Sequence, residues 1–287
     1  MRIFVADAFT DKPFCGNQAA VVPLGREPFP SDELMQSIAA EMKHSETAFV
    51  RRLGQGGYAL RFFTPKGEVE LCGHATVAAF TVLRELRGLP RGDCEAVTKA
   101  GAIRVSVDAH TVWLDMADAQ VVRKLDPDEC SALYSAYGLP LSCRPLELEP
   151  VIVNVGLSDV IVPVSSKAVL LSAVQNEEAV SALSLKWGVT GVHMYALDEG
   201  AFTARCRNFA PLYGIIEECA TGTSNGGLTQ YLYTKGLIAL NEVNSFLQGE
   251  SMGRPSVVES RIELVRDRAT LRVGGSAVIT LEGELKL

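Results

Sequence analysis

Arg61-Phe62-Phe63-Thr64-Pro65, running on to Glu68-Val69-Glu70-Leu71-Cys72-Gly73-His74-Ala75-Thr76, is a stretch that the chain writes twice. Its echo is Arg207-Asn208-Phe209-Ala210-Pro211, running on to Glu217-Glu218-Cys219-Ala220-Thr221-Gly222-Thr223. Pro65 and Pro211 stand 146 residues apart, and Cys72 and Cys219 stand 147 apart. Working outward, Gly88-Leu89 pairs with Gly236-Leu237 at 148, and Ala20-Val21-Val22-Pro23-Leu24 with Val160-Ile161-Val162-Pro163-Val164 at 140. An offset that rises steadily along the chain is the mark of small insertions in a duplicated domain.

Each half reads as a mixture of strand and helix, so the fold class is α+β with two pseudo-symmetric lobes. β-Branched and aromatic enrichment predicts strands at 2–9, 18–23, 46–52, 58–63, 102–107 and 111–116. In the second half they fall near 150–154, 159–164, 191–197, 202–209, 260–266, 269–273 and 276–281. Gly56-Gly57 and Gly274-Gly275 offer turn glycines, and 265–269 offers a further turn. Helices are predicted over 73–86 and 223–235, each ended by a glycine, Gly88 and Gly236. Few charges interrupt either one, so each is expected to be buried within its own half's sheet. Ser31 starts a third helix over 31–42, with Leu34, Ile38 and Met42 on one face, and 127–137 and 167–187 read as peripheral helices. The lobes are drawn as 1–118 and 119–279, with the terminal strand 280–287 a candidate to complete the first.

Of the 287 residues, 47% are apolar and 21% charged, the balance of an ordinary globular chain. Lys plus Arg is 27 against 34 Asp plus Glu, a net charge of −7, which disfavours nucleic acid and anionic membrane as partners. Apolar runs fall short of the roughly 20 residues that span a bilayer. The chain enters strand-like sequence at Arg2-Ile3-Phe4-Val5, leaving no signal peptide. Seven scattered cysteines without a CxxC pair fit a reduced, cytoplasmic thiol inventory. His44, His74, His110 and His193 show no HExxH or other metal spacing, so no metal site is expected.

Chemistry concentrates where the two predicted central helices begin. A helix start presents unpaired N–H groups and partial positive charge, which attract a carboxylate and lower a thiol pKa. Gly73 and Gly222 let a ligand approach the backbone closely. If the lobes face each other through these starts, one cleft gathers Cys72, His74, Glu218, Cys219 and Thr223. Glu46, in His44-Ser45-Glu46-Thr47-Ala48-Phe49-Val50, adds an acid at the head of an apolar strand. Desolvation there would raise its pKa toward neutrality and make it a proton shuttle.

These motifs resemble the PhzF-like family of phenazine-biosynthesis-type isomerases. The matching pieces are Asp7-Ala8-Phe9, Gly16-Asn17-Gln18-Ala19-Ala20-Val21-Val22, Ser45-Glu46-Thr47-Ala48-Phe49, Phe63-Thr64-Pro65 and Cys72-Gly73-His74-Ala75-Thr76. Phe209-Ala210-Pro211, Ala220-Thr221-Gly222-Thr223, Gln248-Gly249 and Gly253-Arg254-Pro255-Ser256 follow in the family's order. The resemblance implies a diaminopimelate-epimerase-like fold, each lobe a curved, mostly antiparallel sheet around one helix, with the site between lobes and commonly a homodimer. It implies Glu46 as the acid/base, with His74 and Glu218 positioning substrate and tuning protonation. Asn17, Gly73, Ala75, Thr221, Gly222 and Thr223 are the expected substrate-binding positions, and no metal, nucleotide or other cofactor is implied. Where the family reads Glu-Asp-Pro-Ala-Thr-Gly-Ser, this chain has Glu217-Glu218-Cys219-Ala220-Thr221-Gly222-Thr223. Cys219 thereby sets a second thiol beside Cys72, as in the two-cysteine epimerases of that fold.

Two chemistries follow for a small carboxylic-acid substrate. In one, Glu46 removes a proton and returns it elsewhere on the same face of an unsaturated acid. In the other, Cys72 and Cys219 act from opposite faces of a stereocentre and invert it. The preferred reading is a cofactor-independent isomerase working through Glu46. The alternatives are a two-cysteine racemase and a non-catalytic protein that binds small acids.

Overall fold

The computed structural model describes residues 1–86, 91–265 and 268–287, the side chain of Gln55 apart. It divides into two compact units, Met1–Asp115 with Gly274–Leu287, and Met116–Val273.

In the N-terminal unit, strands Arg2–Ala8 and Asn17–Gly25 form an antiparallel pair. Helix α1 (Asp32–Met42) carries the chain across to Glu46–Arg52, which runs parallel to Asn17–Gly25. Ser31 starts α1 by accepting the Leu34 N–H, and Met35, Ile38 and Ala39 pack on Ala20, Val22, Phe49 and Phe63, with Leu34 and Met42 flanking. A hairpin leads to Tyr58–Phe63, the short strand Glu68–Val69 follows, and helix α2 (Gly73–Glu85) then runs through the unit. Every residue of α2 from His74 to Val82 is buried. A helix apolar on all sides is stable only when surrounded, and the run Ala75–Val82 has no charged residue to expose. Gly92–Thr98, Gly101–Val107 and Val112–Asp115 add antiparallel strands, and Ala277–Glu284 returns to pair with Arg2–Ala8.

The C-terminal unit repeats that order. Strand Gln120–Lys124 and helix α3 (Pro127–Ala136) precede a hairpin of Val151–Val155 with Leu157–Pro163. Helices α4 (Lys167–Ser172) and α5 (Glu177–Trp187) lead to Gly191–Leu197, parallel to Leu157–Pro163. A hairpin to Ala204–Ala210, the strand Ile215–Glu218 and helix α6 (Gly222–Thr234) follow. Asn244–Gln248, Ser256–Val265 and Arg268–Gly275 complete the element order. Helix α6 approaches its sheet so closely that a Cβ on Gly226 would lie 3.1 Å from Leu271 and 3.2 Å from Val273.

The duplication is written in ion pairs as well as topology. Arg61 holds Glu68 through two bonds of 2.7 and 2.9 Å, and Arg207 holds Glu217 through two of 2.8 Å. Phe62 pairs with Val69 across one short ladder and Asn208 with Glu218 across the other. The turn Pro211–Tyr213 with Gly214 lengthens the second copy before its short strand. Helices α2 and α6 therefore start 149 residues apart, at Gly73 and Gly222, not at the 147 that matching the two cysteines gives.

Several elements differ from the sequence expectation. Strands Gly92–Thr98, Gln120–Lys124, Ile215–Glu218 and Asn244–Gln248 lack a clear apolar alternation and were not anticipated. The expected helix over 167–187 is two, because Ala173 turns to an extended backbone and Asn176 recaps the chain by accepting the Ala179 N–H. Gly274 is no turn residue; it lies in a strand where a Cβ would come within 2.7 Å of the Trp113 ring and the Val112 carbonyl. Gly88 and part of the turn at 265–269 lie outside the described residues. Among the described residues, no helix is long and apolar enough to cross a membrane.

Candidate active site

In the N-terminal unit, the parallel ladder sets Glu46 opposite Ala19, at the end of its strand nearest α2. Cys72 is the N-cap of α2 and His74 lies in its first turn. The His74 ring joins them. Its Nε2 is 3.1 Å from Glu46 Oε2 and 3.2 Å from Ser45 Oγ, and its Nδ1 is 3.3 Å from Cys72 Sγ and 3.4 Å from Asn17 Nδ2. Cys72, His74 and Asn17 are buried and Glu46 is half-buried. Gly16 turns the chain into Asn17 with φ +68°, where a Cβ would strike the Ala8 carbonyl, so only glycine delivers Asn17 to the ring.

The cluster's electrostatics depart from the sequence expectation in two places. Burial pushes the Glu46 carboxyl up, yet bonds with His74, Ser45 and Cys72 outweigh it and hold the pKa below the usual carboxylate value. Burial and the Glu46 charge raise the Cys72 thiol, overriding the helix start that was expected to lower it. For His74, burial opposes a charge, but Cys72 and Glu46 raise its pKa well above the ordinary value. Glu46 is the carboxylate that faces the ring, 3.1 Å from Nε2. The cluster is a carboxylate and a thiol set against one imidazole ring. Donor atoms of Glu46, Cys72 and His74 lie within 4.8 Å of one another, so this is also where the described residues could hold a metal ion.

Glu218, Cys219 and Thr221–Thr223 lie together in the C-terminal unit, at the end of a short strand and the start of α6. The two thiols are not in equivalent places. The residue capping α6 is Thr221, and Cys219 sits two positions earlier. Glu46 has no counterpart either. In the second copy's parallel ladder the residue opposite Asp159 is Gly191, and a side chain there would strike the Phe209 carbonyl. The Thr221 side chain makes no capping bond to α6, while Cys72 turns its thiol to the His74 ring and the Ala75 N–H at the start of α2. Ser31, Asp126, Ser166 and Asn176 do cap α1, α3, α4 and α5. The first-turn N–H groups of α6 are thus left without that partner.

Sequence reasoning did not single out Ser45, nor the buried polar side chains behind α6: Gln248, Asn225, His193, Asn208, Ser224 and Asp159. Gln248 was visible only as part of a motif. Polar residues at inward positions of apolar strands were the available signal.

A duplicated strand–helix–strand lobe built around a buried central helix is the diaminopimelate epimerase-like fold. Its breadth shows in the crystal structure of a probable proline racemase from Agrobacterium radiobacter, similar in fold alone, with TM-score 0.67, 14% identity, and cover of 100% of this chain and 93% of that one. Within that class the chain belongs to the phenazine biosynthesis-like protein family, whose model matches residues 6–283. The uncharacterized isomerase YddE of Escherichia coli K12 is 30% identical over 297 residues, covering 99% of this chain and 97% of that protein. The crystal structure of the Bacillus anthracis phenazine biosynthesis protein of the PhzF family superposes with TM-score 0.90 at 26% identity, covering 100% of this chain and 99% of that one. The chain is an isomerase of this family.

Proposed function

We propose that the chain moves a proton on a small carboxylic acid without a cofactor, with Glu46 as the single acid/base. The observation that carries this is the pairing of Glu46 with His74 in one copy of the duplication and its absence from the other, where Gly191 stands. A carboxylate at rest is the form that removes a proton. The proton leaves a carbon next to a carbonyl or within a conjugated system, and its electron pair moves into that system as the double bond shifts. Protonated Glu46 then returns the proton to the distal carbon. A carboxyl with a low pKa favours this return step, and the His74 imidazolium steadies negative charge between the two transfers. The open first turn of α6, at Gly222–Thr223, and the N–H groups of Gly73 and His74 at the start of α2 are suited to a substrate carboxylate.

The two-cysteine reading is the weaker one, because the α6 position equivalent to Cys72 is Thr221 and a raised Cys72 pKa disfavours a thiolate base. By family resemblance the proposal extends to a cytoplasmic homodimer. The test is solvent deuterium entering a panel of amino acids and unsaturated carboxylic acids, followed by proton NMR. Deuterium at a carbon distal to the one that lost its proton, abolished by Glu46→Gln and kept by Cys219→Ala, supports the reading. Inversion at one carbon that needs Cys219 would replace it with the racemase. Recovery of every acid both unlabelled and unisomerised would leave only a binding protein.

A further inference from the structure

Behind the start of α6 runs a line of buried polar side chains whose bonds join end to end. Gln248 Nε2 lies 2.7 Å from the Glu218 carbonyl and 3.1 Å from Thr221 Oγ1, and Gln248 Oε1 lies 3.2 Å from the Thr221 N–H. Asn225 Nδ2 lies 2.8 Å from Gln248 Oε1 and 2.9 Å from the Thr221 carbonyl. Asn225 Oδ1 is 3.2 Å from His193 Nε2, and His193 Nδ1 is 3.3 Å from Asn208 Nδ2. Asn208 Nδ2 reaches Ser224 Oγ at 3.1 Å, and Ser224 donates to Asp159 at 2.5 Å. Gln248, Asn225 and His193 are fully buried, and Asn208, Ser224 and Asp159 nearly so.

The backbone fixes the polarity of this line. The Glu218 carbonyl only accepts, so Gln248 Nε2 faces it and Oε1 must face the Thr221 N–H. Gln248 Oε1 and the Thr221 carbonyl both accept, so Asn225 turns its Nδ2 to them and its Oδ1 to His193. An oxygen there requires a proton on His193 Nε2, while Nδ1, facing the Asn208 donor, must be bare. Burial reinforces this by keeping His193 neutral, with its pKa pushed down to about 4. One register satisfies every member, and a reversed amide at any link would set donor against donor or oxygen against oxygen.

We infer that Gln248, Asn225 and His193 are positioning residues that lock the Glu218–Thr221 turn, and with it the open start of α6, in one geometry, His193 acting as its Nε2–H tautomer. The bearing of that turn on catalysis rests on the proposed isomerase function; the lock itself does not. Gln248 binds both sides of the turn, at Glu218 and at Thr221, so it sets the direction of the first free N–H groups of α6. His193 touches neither end and acts by holding the Asn225 amide to one orientation.

The test is NMR on the intact chain with nitrogen-15-labelled histidine. Near pH 7, His193 is expected as a neutral ring with the proton on Nε2; an Nδ1–H tautomer or an imidazolium would overturn the inference. This measurement needs no variant. Hydrogen exchange supplies the second arm. In Gln248→Leu and His193→Leu the Thr221 amide is expected to exchange at least tenfold faster, while amides of Glu46–Arg52 in the other unit keep their rates. His193→Gln, whose amide N–H can take the place of Nε2–H, is expected to restore slow exchange. An unchanged Thr221 amide in Gln248→Leu, or equal acceleration of every amide in both units, would reduce the line to ordinary core packing. If no acid is isomerised or takes up deuterium, the isomerase reading fails while tautomer and exchange still decide the lock.

Discussion

Arg207→Met in the C-terminal lobe isolates the ion pair that the duplication preserved. The guanidinium makes two bonds of 2.8 Å to Glu217 and donates to the Leu170 and Ala173 carbonyls at 3.0 and 2.7 Å. Its side chain is 11% exposed and that of Glu217 14%, so water screens the pair weakly. Methionine keeps most of the stem's packing but takes the guanidinium from two carbonyls and from a carboxylate that Ser251 still reaches at 2.5 Å. Removing one partner of a buried pair costs about 3–5 kcal/mol. The exposed pair of Arg268 with Asp118 in the same unit (side chains 71% and 66% exposed) is the contrast, since such pairs contribute about 0–1 kcal/mol. The chain's two tryptophans are Trp113 and Trp187, one in each unit, so a Trp113→Phe background makes fluorescence report the C-terminal unit alone. Urea unfolding in that background is expected to show a loss of about 3 kcal/mol or more for Arg207→Met and under 1 for Arg268→Met. A loss below 1 kcal/mol for Arg207→Met would refute the view that this pair ties α4 and the Glu217 strand together.

Three further outcomes follow from the geometry. His193 is pushed by burial from 6.5 down to about 4 in the folded chain. The unfolded state therefore binds the extra proton between those pH values, and the stabilising contribution, complete above pH 6.5, is lost as pH falls toward 4, about 3 kcal/mol in all. Urea unfolding across pH 4–7 should show that slope in the native chain and a flatter one in His193→Gln; equal slopes would assign it to other groups. Gly226→Ala sets a methyl 3.1–3.2 Å from Leu271 and Val273, so overpacking of about 1–3 kcal/mol should outweigh the helix gain of about 1, read as a lower thermal midpoint. Cys72, raised by burial and by Glu46, should react with iodoacetamide more slowly than an unperturbed thiol at pH 7 and faster in Glu46→Gln, which removes the adjacent charge; peptide mass mapping distinguishes it from the other six cysteines.

The fold was legible where a single physical preference decided the local structure. The β-branched runs at 46–52 and 191–197 matched their strands end to end, and the uncharged runs behind Gly73 and Gly222 gave two buried helices. Strands such as Gly92–Thr98 escaped because backbone pairing with Gly101–Val107 and Tyr58–Phe63 forms them while most of their side chains stay exposed and carry little apolar pattern. At the site, residue types marked Glu46, His74 and Cys72, but not the sign of their pKa shifts. Those signs depend on a ring that bonds all three, a contact between a strand end and a helix start that sequence spacing does not encode. Matching cysteine to cysteine paired Cys219 with Cys72; the helix starts pair Thr221 with it instead, because the Pro211–Gly214 turn lengthens the second copy. The line from Asp159 to Gln248 was hidden for a like reason, since its members come from separate elements and only their burial reveals them.

The most direct measurement is carbon-resolved deuterium uptake by an unsaturated carboxylic-acid substrate, compared across the native chain, Glu46→Gln and Cys219→Ala. Glu46 acting alone requires the distal carbon to gain a hydrogen in the native chain and in Cys219→Ala, deuterium where Glu46 exchanges with solvent before the return step and the substrate's own proton where it does not, and a loss of at least a hundredfold in Glu46→Gln, the lower end of what a positioned acid/base supplies (about 10²–10⁴). Undiminished uptake in Glu46→Gln, or label confined to one inverted carbon and abolished by Cys219→Ala, would contradict it.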